Sequence, residues 1–85
     1  MRLVFDPNVL EDLRFWVDTD RRKALKIIDL LEAVLKSPFE GIGKPEPLKF
    51  ELSGCWSRRI DQEHRLVYRV EGEDLIVLGC RYHYG

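Results

Sequence analysis

With 85 residues, 45% of them hydrophobic and 34% charged, the chain suits one globular domain with one modest core. A formal net charge of −1 argues against an indiscriminate nucleic-acid binder, which carries a clear positive excess, but it leaves room for a local cationic patch. No apolar run approaches the length of a membrane span. The opening MRLVFDPN lacks the apolar region of a signal peptide. Cys55 and Cys80 match no metal spacing, and they read as reduced small hydrophobes of a cytoplasmic protein.

In chain order, Arg2–Phe5 predicts a short strand. Asp6 is a good N-cap and Pro7 a good first helical residue. Leu10, Leu13, Trp16 and Val17 then repeat at helical spacing, with Phe15 beside them, which predicts a helix over 7–18. Thr19-Asp20 restarts the pattern. Ala24, Ile27, Ile28, Leu31, Val34 and Leu35 trace a second amphipathic stripe, with Leu25 and Leu30 off it and available to a partner or to the first helix. Ser37-Pro38 stops that helix. A stiff loop, FEGIGKPEP, follows, in which prolines bracket Glu46 and limit its backbone freedom. A strand is expected at Leu48–Leu52, then a turn at Ser53-Gly54.

The stretch Cys55–Val70, CWSRRIDQEHRLVYRV, reads as a β-hairpin turning around Asp61–Glu63. A turn centred on Gln62 sets Arg59 against Arg65 and Ser57 against Val67. A further turn centred on Gly72 would set Val67 against Val77 and Arg65 against Gly79, with a last strand over 74–82. Alternation then sorts the side chains. Trp56, Arg58, Ile60, Leu66, Tyr68, Val70, Ile76, Leu78, Cys80 and Tyr82 form a mostly apolar face. Ser57, Arg59, Arg65, Val67, Arg69, Val77, Gly79, Arg81 and His83 form a cationic one. The two helices would cover the apolar face.

On the cationic face, Arg59 beside Arg65 is a repulsive pair that suits an anion or a neighbouring acid. His83 shares the parity of Arg65, and Tyr82 and Tyr84 flank it. Like charge from the arginines is expected to lower its pKa. His64, on the opposite parity, reads as structural or solvated, and Trp16 and Trp56 as core. Lys49 reads as a phosphate contact or an edge charge, and Tyr84 as a tail anchor or a base-stacking ring. A glutamate, an arginine and a histidine on one face fit strand cleavage of RNA without a metal. A base takes a 2′-hydroxyl proton, a cation holds the phosphate oxygens and an acid protonates the leaving 5′-oxygen. No metal motif or phosphate-binding glycine loop is visible, so no cofactor is expected.

The stretches SPFEGIGKPEPLKFELSG, CWSRRIDQEHRLVYRV and CRYHY, with the TDRR link between the helices, resemble the YoeB/Txe toxins of bacterial toxin–antitoxin pairs, related to the RelE toxins, over essentially the whole chain. The resemblance implies an α+β microbial RNase-like fold: two N-terminal helices packed on a twisted, mainly antiparallel sheet, in a single endoribonuclease toxin domain over 1–85. It implies cleavage of messenger RNA in the decoding site of the 70S ribosome, giving 2′,3′-cyclic phosphate and 5′-hydroxyl ends and inhibiting translation. It places the catalytic set on Glu46 as base, His83 as acid and Arg65 at the phosphate, with Lys49, Arg59 and Tyr84 as substrate-contact or supporting positions. It implies a cognate antitoxin, toxin homodimers, and contact with operator DNA only through the antitoxin complex. Family members are often more basic than this chain. The competing readings are a non-catalytic RNA- or partner-binding module of the same fold that blocks translation or acts in autoregulation, a structural subunit using Leu25 and Leu30, and a metal-dependent nuclease.

Overall fold

The computed structural model describes residues 1–82. The elements run β1 (Arg2–Phe5), α1 (Pro7–Thr19), α2 (Arg21–Lys36), β2 (Glu46–Pro47), a 3₁₀ turn (Phe50–Leu52), β3 (Trp56–Arg59), β4 (Arg65–Glu71) and β5 (Asp74–Gly79). The sheet order is β1-β5-β4-β3-β2. β1 runs parallel to β5, and every other pairing is antiparallel. Both helices bury one face on the sheet: Val9, Trp16, Ala24, Ile27, Leu30, Leu31 and Val34 pack with Ile60, Leu66, Tyr68, Leu75, Val77 and Cys80. No helix among the described residues is long and apolar enough to cross a membrane.

α1 begins as its sequence dictates. Asp6 is extended and its carboxylate accepts from the Asn8 amide at 3.3 Å, with proline in the first turn. The buried stripe is rotated from the expected one, however. Val9 and Trp16 are buried, Leu13 and Phe15 pack partly on the core, and Leu10 and Val17 are exposed. The cause lies one helical row over. Asn8 donates to the Leu78 carbonyl (2.8 Å), Asp12 accepts from the Cys80 amide (3.0 Å) and Trp16 Nε1 donates to the Cys80 carbonyl (2.8 Å). Residues 8, 12 and 16 stand on one face, and their bonds to the end of β5 fix the helix about its axis.

In α2, Ala24, Ile27, Leu31 and Val34 are buried as expected, but Leu30 is also fully buried while Ile28 and Leu35 are exposed. Leu30 is core because the loop after α2 folds over it. A Cβ on Gly43 would lie 2.7 Å from Leu30 Cδ2. Leu25 is exposed.

The β3–β4 hairpin has the expected register, Arg59 opposite Arg65 and Ser57 opposite Val67. The β4–β5 register does not. Glu71 pairs with Asp74, so the turn holds two residues, with Gly72 at φ 60°, a conformation that favours glycine. Tyr68 therefore faces Val77, and an irregularity at Val67/Tyr68 then sets Val67 against Gly79. The one-residue change turns Leu75 and Val77 into the core in place of Ile76 and Leu78, and the irregularity brings Cys80 back to it. Gly79 accordingly lies beside Val67, not Arg65.

The strand expected at Leu48–Leu52 is also displaced. A strand there, turning at Ser53-Gly54, would set Phe50 against Ser57. The observed ladder sets Glu46 against Ser57 and Pro47 against Trp56. It ends where the Leu48 amide donates to the Cys55 carbonyl. The intervening residues have no strand left to pair with, and they close into the 3₁₀ turn. The alternation of Leu48, Phe50 and Leu52 misleads because Phe50 is 90% exposed.

Both cysteines are buried and free. Burial, with Asp12 nearby, pushes the Cys80 thiol up to about 12. The β3–β4 turn is tied to α2 through Asp61, whose carboxylate accepts from the Glu63 and His64 amides at 2.7 and 2.6 Å and from Lys23 Nζ at 2.6 Å. Burial would raise this carboxyl. The Lys23 bond, with the two amides, outweighs it and holds the group below its ordinary range. Stability from this carboxylate is therefore present above about pH 3.9 and lost as the pH falls below it. Thermal unfolding of Asp61→Asn should show a loss of about 1 kcal/mol at neutral pH that narrows as the pH falls below about 3.9. A gap that stays the same through acid pH would contradict this role.

Candidate active site

The loop between α2 and β2 is built around Arg58. Parity puts this arginine on the apolar face, and it is fully buried there. Its guanidinium donates to four oxygens: Tyr68 Oη (3.2 Å) and the carbonyls of Ile42 (3.2 Å), Ser37 (2.6 Å) and Glu40 (2.8 Å). The Tyr68 hydroxyl in turn donates to the Pro38 carbonyl at 2.7 Å. Burial pushes the Tyr68 phenol up, against the pull of Arg58. Gly43, at φ 86°, passes so close that a Cβ would meet both Leu30 and Arg58, and its carbonyl accepts from the Arg59 amide at 2.7 Å. The chain then runs through Lys44-Pro45 into the short β2, which carries Glu46.

Glu46 sits on the edge strand opposite Ser57. Its Oε1 lies 2.7 Å from Arg65 Nη1, and the same Nη1 donates to Ser57 Oγ at 3.0 Å. The arginine side chain is only 12% exposed, whereas the glutamate side chain is 54% exposed. The cation is thus held in the sheet and the carboxylate stands at the surface beside it. The Glu46 carboxylate satisfies Arg65 beside its like-charged neighbour. Arg59 is directly across the ladder from Arg65 and is exposed. Lys49 heads the 3₁₀ turn and is exposed too. The Arg65 amide donates to the Tyr82 carbonyl at 3.0 Å, which brings the end of the described chain to this strand. His83 and Tyr84, and with them the expected pKa of His83, lie outside the described residues. Among the described residues, no three His, Cys, Asp or Glu side chains gather as metal ligands.

Two contributors escape a reading of the sequence for chemistry. Ser57 is fully buried and bonds Arg65; its place on the parity of Arg59 and Arg65 was the available signal. His64, read as structural or solvated, is structural. Its Nδ1 accepts from the Tyr82 amide at 2.7 Å and its ring packs edge-on against Trp16.

This is a five-stranded mixed sheet under two helices, with a carboxylate–guanidinium pair reaching from its edge strand β2 to β4, and its fold is that of small bacterial toxins. Over residues 5–84 the chain matches the profile of the YoeB-like toxins of bacterial type II toxin–antitoxin systems, and it belongs to that family. It is 50% identical to toxin YoeB of Escherichia coli K12 over 84 residues, covering 99% of this chain and 100% of the relative. Among solved structures it is similar to a YoeB/ParE toxin from Agrobacterium tumefaciens, with a TM-score of 0.94 at 50% identity, covering 99% of this chain and 100% of that one. It is also similar to YoeB of Staphylococcus aureus, described as a dimer (TM-score 0.90) and in a heterotetrameric YoeB–YefM toxin–antitoxin complex (0.88). Both are 41% identical and cover 99% of this chain and 98% of theirs.

Arg58→Met should destabilise the protein by about 3 kcal/mol or more, because it removes the donor of three part-buried loop carbonyls and of the buried Tyr68 phenol. Chemical denaturation measures this. A loss under about 1 kcal/mol would mean that the loop carbonyls find other donors.

Proposed function

We propose that this toxin is an endoribonuclease, a single domain over 1–85 that cuts messenger RNA in the decoding site of the 70S ribosome and so stops translation. The observation that carries the reading is the 2.7 Å pair of exposed Glu46 and recessed Arg65. A surface carboxylate next to a fixed cation suits proton abstraction beside a phosphate.

In this mechanism Glu46 takes the proton of the 2′-hydroxyl, and O2′ forms a bond to the adjacent phosphorus. Arg65, steadied by Ser57, holds the charge on the non-bridging oxygens. The bond from phosphorus to O5′ breaks, and His83 gives that oxygen its proton. The products are a 2′,3′-cyclic phosphate and a 5′-hydroxyl, and no metal or cofactor takes part. Lys49 and Arg59 would hold flanking phosphates, and Tyr84 would stack on a base. A net charge of −1 gives weak general attraction to free RNA, so the ribosome supplies the positioned message. The Staphylococcus aureus relatives support a cognate antitoxin and self-association as partners for this chain. Operator DNA, in this reading, is met only through the antitoxin complex.

Ribosomes programmed with a defined message test the proposal. Wild type should cut the message, free RNA should stay intact, and Glu46→Gln, Arg65→Ala and His83→Gln should each slow cutting by about a hundredfold or more. Arrested translation over an intact message would replace the nuclease with a binding inhibitor.

A further inference from the structure

We propose that His64 is a positioning residue: its imidazole latches the backbone of Tyr82 and so sets the point from which the chain runs on to His83. This rests on the reading of His83 as the acid.

Tyr82 takes φ 70°, a region that residues with a side chain seldom occupy and that persists only where the surroundings hold it. Both of its backbone groups are held. Its amide donates to His64 Nδ1 at 2.7 Å, and its carbonyl accepts from the Arg65 amide at 3.0 Å. Consecutive residues of β4's entry thus grip one strained residue from both sides, and the second of them is the arginine that pairs with Glu46. Packing fixes the latch itself. The imidazole stands edge-on to Trp16 at 4.8 Å between ring centres, and the His64 amide is bound to the Asp61 carboxylate, which Lys23 anchors to α2. The Arg81 guanidinium also lies 3.4 Å from the Phe15 ring centre and 4.6 Å from that of Tyr82. The accepting bond assigns the ring proton to Nε2. An asparagine at this position carries an acceptor oxygen where Nδ1 stands; alanine carries none.

The test compares wild type, His64→Ala, His64→Asn and His83→Gln on message-programmed ribosomes, and follows hydrogen exchange of the Tyr82 amide in the free toxin. The expected result is a turnover about tenfold or more lower in His64→Ala at an almost unchanged KM, since displacement of a reacting group costs rate before binding. Exchange at Tyr82 should be faster in His64→Ala, and His64→Asn should recover most of both. If His64→Ala unfolds, His64→Gln, which keeps the bulk but moves the acceptor, takes its place against His64→Asn. An inactive His83→Gln together with full turnover in the His64 variants, or with losses that asparagine does not repair, overturns the positioning role and leaves the catalytic reading intact. A His83→Gln protein that cuts like wild type overturns both.

Discussion

A fully buried guanidinium organises the part of this molecule that carries the site. Among the described residues no carboxylate pairs with Arg58, so neutral oxygens must offset the cost of taking its charge out of water. Only a planar donor with several N–H groups could reach three carbonyls and a phenol at once. Those carbonyls belong to residues 37, 40 and 42, so solvating the arginine wraps the loop around it. The same wrapping buries Leu30, demands glycine at 43 and delivers Glu46 to the edge of the sheet. Core packing and the placement of the carboxylate are thus one constraint.

A second frame holds the opposite flank. α1 satisfies the backbone of β5 where the ladder becomes irregular, through Asn8, Asp12 and Trp16. His64 and Arg65 then hold Tyr82. Arg65 stands where the two frames meet. Its side chain binds the product of the first, Glu46, and its amide binds the end of the second. Burial of its guanidinium by the sheet, with Ser57 beneath it, leaves the arginine little freedom to follow a moving partner, and such rigidity is what stabilising a transient charge requires.

Much of this was legible in the sequence, for identifiable reasons. The β3–β4 hairpin has one apolar face and a short turn, so its register follows from alternation alone, and the adjacency of Arg59 and Arg65 with it. Helix positions followed from Asp6-Pro7 and Ser37-Pro38. Glu46 was singled out by its prolines. What failed were features set by distant partners. The β4–β5 register depends on a two-residue turn and an irregularity whose backbone groups are satisfied from α1. The supposed strand at Leu48–Leu52 has no ladder to join. Leu30 is core only because a loop with glycine at 43 closes over it. Arg58 lay on the apolar face by parity, and a charge at such a position signals a buried network. His64 is identified as a latch only through a residue 18 positions away.

Whether the Glu46–Arg65 pair serves an internal attack on the phosphate is read most directly from the chemistry of the new message ends made on programmed ribosomes. A 2′,3′-cyclic phosphate on the upstream fragment and a 5′-hydroxyl on the downstream one are expected. A 3′-hydroxyl with a 5′-phosphate would contradict this mechanism.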